Sequence, residues 1–253
     1  GVGKDVFAVL TSGDDNVGIG KNSLKTLTTG GGNIAIGRDT LGLSGDTNSN
    51  NTVVGHSAGR YLDNAHYNVA IGSIANATAN DGDANVSIGH QSMYGASGRC
   101  DNNIAIGQYS LRSLDGADEN IGIGTSAGYA ISSGTMNVGI GGNALLALTS
   151  GSYHTAVGHG ALSQITTVND NTAVGFYAGK GIQNGSNNTA IGANVMRENN
   201  SSTQNTAVGA QSQNKNTGGN SNTSLGYRAL YANTSGTRNL AIGTNALDAA
   251  DTE

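Results

Sequence analysis

Two stretches carry the spacing of a hydrolase nucleophile elbow: Gly55-His56-Ser57-Ala58-Gly59 and Gly124-Thr125-Ser126-Ala127-Gly128. That chemistry needs the serine on a sharp strand-to-helix turn, with a histidine and an acid brought in from elsewhere. Gly122-Ile123-Gly124-Thr125-Ser126-Ala127 similarly matches a dinucleotide fingerprint, which requires a helix to follow. His56, His90 and His159 offer imidazoles for a metal, and His154 is a fourth. Acidic turns at Asp14-Asp15, Asp81-Gly82-Asp83 and Asp115 to Glu119 offer carboxylates for calcium, although no calcium-loop spacing is met. Tyr61, Tyr94, Tyr109, Tyr129, Tyr177, Tyr227 and Tyr231, with Phe176, offer aromatic faces on which a sugar ring could stack.

These residues belong to a repeat that must be read before any local motif. Asn-Thr-Ala-Val-Gly stands at Asn171 to Gly175 and again at Asn205 to Gly209, and variants of it recur along the whole chain. With its glycine as the anchor, copies fall at Gly20, Gly37, Gly55, Gly72, Gly89, Gly107, Gly124, Gly141, Gly158, Gly175, Gly192, Gly209, Gly226 and Gly243. Eleven of the thirteen intervals are 17 residues; those ending at Gly55 and Gly107 are 18. Counting back from Gly20 reaches Gly3, so a partial copy opens the chain, and Glu253 stops within a repeat. Residues 1–253 therefore read as one repeat domain that begins and ends inside a repeat.

Numbered from the anchor, position −4 is Asn in every copy but one, where His154 replaces it. Positions −3 and −1 are branched or aliphatic and position −2 is small, the period-2 alternation of a short strand. Position +3 is small (Ala58, Ala144, Ala161), while +4 and +7 are often leucine (Leu24, Leu27, Leu145, Leu148). A turn signal near +10 (Gly30, Gly134, Gly185) sits among Ser, Thr, Asn and Asp. Each repeat then reads as strand, glycine corner, second short strand and polar return. The +3/+4/+7 spacing also fits a helical face, but only about ten residues separate the corners, and helical repeats are longer.

The expected fold is all-β: a parallel β-solenoid of about 15 rungs with a 17-residue repeat, roughly 70 Å long at about 4.8 Å per rung. The Asn column should form an amide ladder. Branched −3 and −1 side chains should fill the core. The flat −2 face should let other chains approach, in a homotrimer closed around that face. Both extra residues of the 18-residue intervals should lie in the polar return. In the C-terminal third, +7 becomes Asn199, Asn216 and Asn233, so an amide stack should replace the aliphatic one.

Composition agrees with such a fold. Glycine is abundant (41), proline and tryptophan are absent, and charged residues make up only 11% with a net charge of −5. Stacked rungs need their N–H donors, which proline lacks. The twelve Lys and Arg form no stripe, so no nucleic-acid partner is expected. No apolar run nears the roughly 18 residues of a membrane span. Cys100 is alone, so no intrachain disulfide is expected.

The periodicity also deflates the opening motifs. Both elbows fall in register with the repeat, so they read as periodicity rather than as a catalytic site. His56, His90 and His159 share position +1 and stand at least two rungs, roughly 10 Å, apart, too far to share a metal. His154 reads as a solvent-facing substitution, or as one of three copies meeting in a trimer. Thr155, Thr172, Thr189, Thr206 and Thr223 form a row at −3 that raises ice binding, although the −1 partners are aliphatic and a core orientation would turn the row inward.

Asn-Ile-Ala-Ile-Gly and Asn-Thr-Ala-Val-Gly, followed by x-x-Ala-Leu, resemble the repeats of phage tail fibres and the head domains of trimeric autotransporter adhesins. Asn33 to Gly37, Asn68 to Gly72, Asn85 to Gly89 and Asn103 to Gly107 match the adhesin-head motif Asn-Ser-Val-Ala-Ile-Gly, less one residue. The period of 17 is longer than the adhesin-head repeat, and the Ala-Leu continuation looks more like the fibre variety. The resemblance spans essentially the whole chain and implies a left-handed β-roll, a homotrimer and attachment to a cell surface.

The function expected from all of this is a non-enzymatic, rigid trimeric fibre or adhesin segment, extracellular or on a virion tail fibre. It would bind a cell-surface glycan or protein receptor through Tyr61, Tyr94, Tyr109, Tyr129, Phe176, Tyr177, Tyr227 and Tyr231, with no cofactor and no metal. The alternative is a subunit of an extracellular filament stacking head to tail through uncapped rungs.

Overall fold

A computed structural model describes residues 1–43, 47–78 and 81–248. It holds fourteen three-residue strands and, among the described residues, no helix. The chain divides into two compact units, Gly1–Ser126 and Ala127–Glu253. In the first lie β1 (Val17–Ile19), β2 (Ile34–Ile36), β3 (Thr52–Val54), β4 (Val69–Ile71), β5 (Val86–Ile88), β6 (Ile104–Ile106) and β7 (Ile121–Ile123). In the second lie β8 (Val138–Ile140), β9 (Thr155–Val157), β10 (Thr172–Val174), β11 (Thr189–Ile191), β12 (Thr206–Val208), β13 (Thr223–Leu225) and β14 (Leu240–Ile242). Within each unit every strand pairs in parallel with its sequence neighbours, and each residue sits on its equivalent one repeat away. This is a β-solenoid. Among the described residues its strands number fourteen, because the opening copy adds only a single parallel bridge from Val2 to Ile19.

The strands point the opposite way from the expected one. The small −2 residue is buried in all fourteen, and the branched −3 and −1 residues are half-buried or exposed. The reason is volume. Leucines at +4 and +7 (Leu24, Leu27, Leu41, Leu62, Leu111, Leu114, Leu145, Leu148) are fully buried and fill the rung from its other wall. Only Gly, Ala, Ser or one Val fits opposite them. Val53, the bulkiest −2 residue, faces the one rung of the first unit in which +4 is Gly59: a Cβ built there would lie 3.3 Å from Val53 Cγ1. The −2 positions are interior, so they offer no surface to another chain.

Among the described residues the expected second strand does not form. Positions +1 to +6 form a run of turns, with residues at +2 and +4 in the left-handed region: Asn22 at 58°, Leu24 at 51°, Asn143 at 59° and Leu145 at 53°. This alternation turns the +3 and +4 side chains into the core together. It also points backbone N–H groups at both neighbouring rungs, as when Tyr177 N–H donates to His159 O at 2.9 Å and Leu162 N–H to Ala178 O at 3.0 Å. The anchor glycines have φ between 119° and 139°, and a Cβ at Gly175 would sit 2.4 Å from the Gly192 carbonyl oxygen. No L side chain suits that conformation or that gap.

The Asn ladder forms, and each amide does two tasks. Asn188 Nδ2 donates to Asn171 Oδ1 at 3.0 Å and to Ser202 O, in the return turn of its own rung, at 2.9 Å. Asn188 Oδ1 accepts the Asn205 backbone N–H at 3.0 Å. The same side chain therefore staples its rung shut and ties it to its neighbours. The C-terminal amides at +7 are buried as expected, but they do not stack on one another. Asn216 and Asn233 instead bond the backbone three residues on, in their own turns: Gly219 N–H donates to Asn216 Oδ1 at 2.8 Å and Gly236 N–H to Asn233 Oδ1 at 3.0 Å.

The extra residue of the second 18-residue interval lies in the return, as expected. Gln91 N–H reaches back to Ser73 O at 3.2 Å, whereas Asn102 N–H reaches Asp83 O, one residue further, at 3.0 Å. The return of the first such interval includes 44–46, which lie outside the described residues, as does the chain's end at 249–253.

Candidate functional site

The elbow serine is in a turn, not at a strand-to-helix corner. Ser57 has φ 54° and is 6% exposed. His56 Nε2 lies 3.4 Å from Ser57 Oγ but 2.5 Å from Arg38 Nη2, so the guanidinium occupies the lone pair that a general base would use. Ser126 holds the same left-handed conformation, at 56°. His56, His90 and His159 are exposed, each in a different rung. Among the described residues no group of three or more His, Cys, Asp or Glu is placed to hold a metal.

His154 is buried, 1% exposed, which corrects both expectations for it. It neither faces solvent nor can meet its copies in another chain. Its ring takes over the ladder: Nε2 lies 2.7 Å from Val168 O, and Nδ1 accepts the Asn171 N–H at 3.2 Å. These contacts require the Nε2–H tautomer. Burial holds its pKa below the ordinary histidine value.

The acidic turns form a second column, at −6, that sequence reasoning missed. Asp83 Oδ1 accepts the His66 N–H at 2.7 Å, Asp101 Oδ1 the Asp83 N–H at 2.8 Å, and Asp118 Oδ1 the Asp101 N–H at 2.7 Å. Arg99 bridges Asp101 at 2.8 Å and Asp83 at 3.3 Å. In the second unit Ser152, Asn169 and Asn220 supply the accepting oxygen. The signal was the short polar side chains at −6, whose oxygens suit turn backbone.

The aromatic residues fall into separate groups. Tyr61 is 45% exposed and lies under Arg60, 5.2 Å from its ring centroid. Tyr94 and Tyr109 share Arg112 at 5.3 and 6.0 Å, with His90 against Tyr109 at 5.9 Å. Tyr129 is half-buried and Tyr227 exposed. Tyr231 holds Arg228 at 4.3 Å and Lys215 at 5.6 Å. Tyr67 and Tyr153, at −5 on another corner, are 66% and 56% exposed.

The densest group is in the second unit. Phe176 and Tyr177 lie 4.3 Å apart by ring centroid, His159 stacks on Phe176 at 5.9 Å, and Lys180 Nζ stands 4.7 Å over the Tyr177 ring. Lys180 also lines an open groove of about 370 Å3, with Gln164, Gly181, Gln183, Arg197, Glu198 and Asn200. The groove draws its lining from three successive rungs, and at Gly181 the backbones approach so closely that a Cβ would lie 2.2 Å from the Arg197 carbonyl oxygen. Among the described residues neither Lys180, Arg197 nor Glu198 joins an ion pair. An aromatic platform thus adjoins a trough of two cations, one carboxylate and three carboxamides, the mix of apolar face and directed polar groups that suits a saccharide. No helix among the described residues is long and apolar enough to cross a membrane. Compared with protein-family models, curated proteins and solved structures, the chain matches none.

Proposed function

We propose that this chain is a non-enzymatic segment of a fibre or adhesin, extracellular or on a virion, that works as a homotrimer and attaches to a cell-surface glycan. One observation carries the reading. The interior keeps one plan from rung to rung, a small residue at −2 and the ladder Asn at −4 with His154 its single exception, while the exposed corners vary, and one of them joins Phe176 and Tyr177 to the polar groove through Lys180. A scaffold that is constant inside and variable outside suits presentation of a binding surface.

A glycan array probed with the intact chain tests this. The expected result is a restricted set of bound saccharides, with at least a tenfold loss of affinity for Tyr177→Ser and an unchanged circular dichroism spectrum. A blank array, or binding indifferent to Tyr177→Ser, refutes the glycan site.

A further inference from the structure

The outward strand positions make a surface that the rest of the chain does not use. In each unit seven strands present two rows, −3 and −1, about 7 Å apart across the strand and about 4.8 Å apart from rung to rung. None of these positions carries a charge from Val17 to Ile242. Large aliphatic side chains stand in the rows well exposed: Ile19 at 41%, Ile71 at 38%, Val174 at 37% and Ile191 at 40%. Per unit the rows leave on the order of 700 Å2 open, near the roughly 800 Å2 that each partner contributes to a stable protein interface. A contiguous apolar surface of that size marks an interaction site.

The period of the surface selects the partner. Ridges that repeat at every rung mesh over seven rungs only with a surface of the same repeat, and a second copy of this chain has it. We propose that copies of the chain pack on one another through this face, side by side. This deepens the homotrimer part of the reading above by naming its contact surface, and it is independent of any glycan.

The experiment is sedimentation of the intact chain beside Val174→Lys/Ile191→Lys. Both side chains point outward, so the fold should survive, as circular dichroism will show. Wild type should form a discrete small oligomer at micromolar concentration, with association weakened at least a hundredfold in the variant. Should the lysine variant not fold, Val174→Thr/Ile191→Thr replaces it, with at least tenfold weaker association expected. A wild type monomeric at 100 μM, or an assembly that both face variants leave intact, overturns the proposal. A monomeric wild type whose thermal hysteresis disappears in the lysine variant assigns the face to ice instead. Tyr177→Ser should stay assembled, so a failed glycan site and a failed interface give different results.

Discussion

Replacing Asn188 by leucine keeps the side-chain volume near constant and removes the ladder chemistry from one rung. The substitution deletes Nδ2, which serves Ser202 O at 2.9 Å and Asn171 Oδ1 at 3.0 Å, and Oδ1, which accepts the Asn205 N–H at 3.0 Å. Asn171 Oδ1 keeps the backbone N–H of residue 188, also at 3.0 Å. Two backbone groups, Ser202 O and Asn205 N–H, lose these bonds in a site where the native side chain is only 1% exposed. At about 1–3 kcal/mol for each orphaned group, the cost is roughly 2–6 kcal/mol. The chain itself supplies the control, because His154 meets both demands with one ring. Asn188→His should therefore cost about 1 kcal/mol or less at pH 8, within the ordinary range for a tolerated substitution. Urea unfolding followed by circular dichroism reads both variants, provided the transition slopes are compared, since repeat arrays can lose two-state behaviour. Leucine within 0.5 kcal/mol of wild type, or histidine as damaging as leucine, would show that the ladder does not hold the rungs.

Acid should act at His154. Its folded pKa lies below the ordinary 6.5, so between those values the unfolded chain binds more protons and stability rises with pH. That contribution is complete above about pH 6.5 and is lost as pH falls from there through the folded pKa, while His154→Asn should lose less stability over the same pH window. Gly59→Leu should overpack its rung and cost about 1–3 kcal/mol, because a side chain there meets Val53 and Leu62; Val53→Ala in the same chain should recover most of that in urea titrations. Asn76 occupies the +4 leucine column, fully buried, with neither side-chain polar atom hydrogen-bonded. Asn76→Leu should raise stability by about 1–3 kcal/mol, and a lower melting temperature would contradict that.

Much of this fold was legible because a repeat reports its own period. The anchor glycines, the Asn ladder and the absence of helices followed from spacing and residue type. The strand's inward face did not. Alternation in Val17-Gly18-Ile19 says only that neighbouring side chains oppose each other, and hydrophobicity favoured the branched pair for the core. The sign was set by a distant wall, where Leu24 and Leu27 already fill the rung. The missing second strand has a similar cause. Leu24, Leu41 and Leu111 adopt positive φ at 51°, 43° and 43°, a conformation that leucine's own preferences do not announce. At the candidate site the aromatics were visible in sequence, but their grouping was not. Phe176 and Tyr177 meet His159 because 17 residues return the chain to the same corner, and the groove beside them draws its lining from three successive rungs, from Gln164 to Asn200.

The register of the strands has a consequence for how such a gene can change. Thr172 pairs with Thr189, and Thr189 with Thr206, so excising residues 172–188 would set Thr189 where Thr172 stood, beside Thr155. Every ladder bond, glycine contact and turn bond of the lost rung has an equivalent ready in the next. Length is then inherited as a count of rungs, adjustable one at a time, while each surviving corner keeps its own side chains.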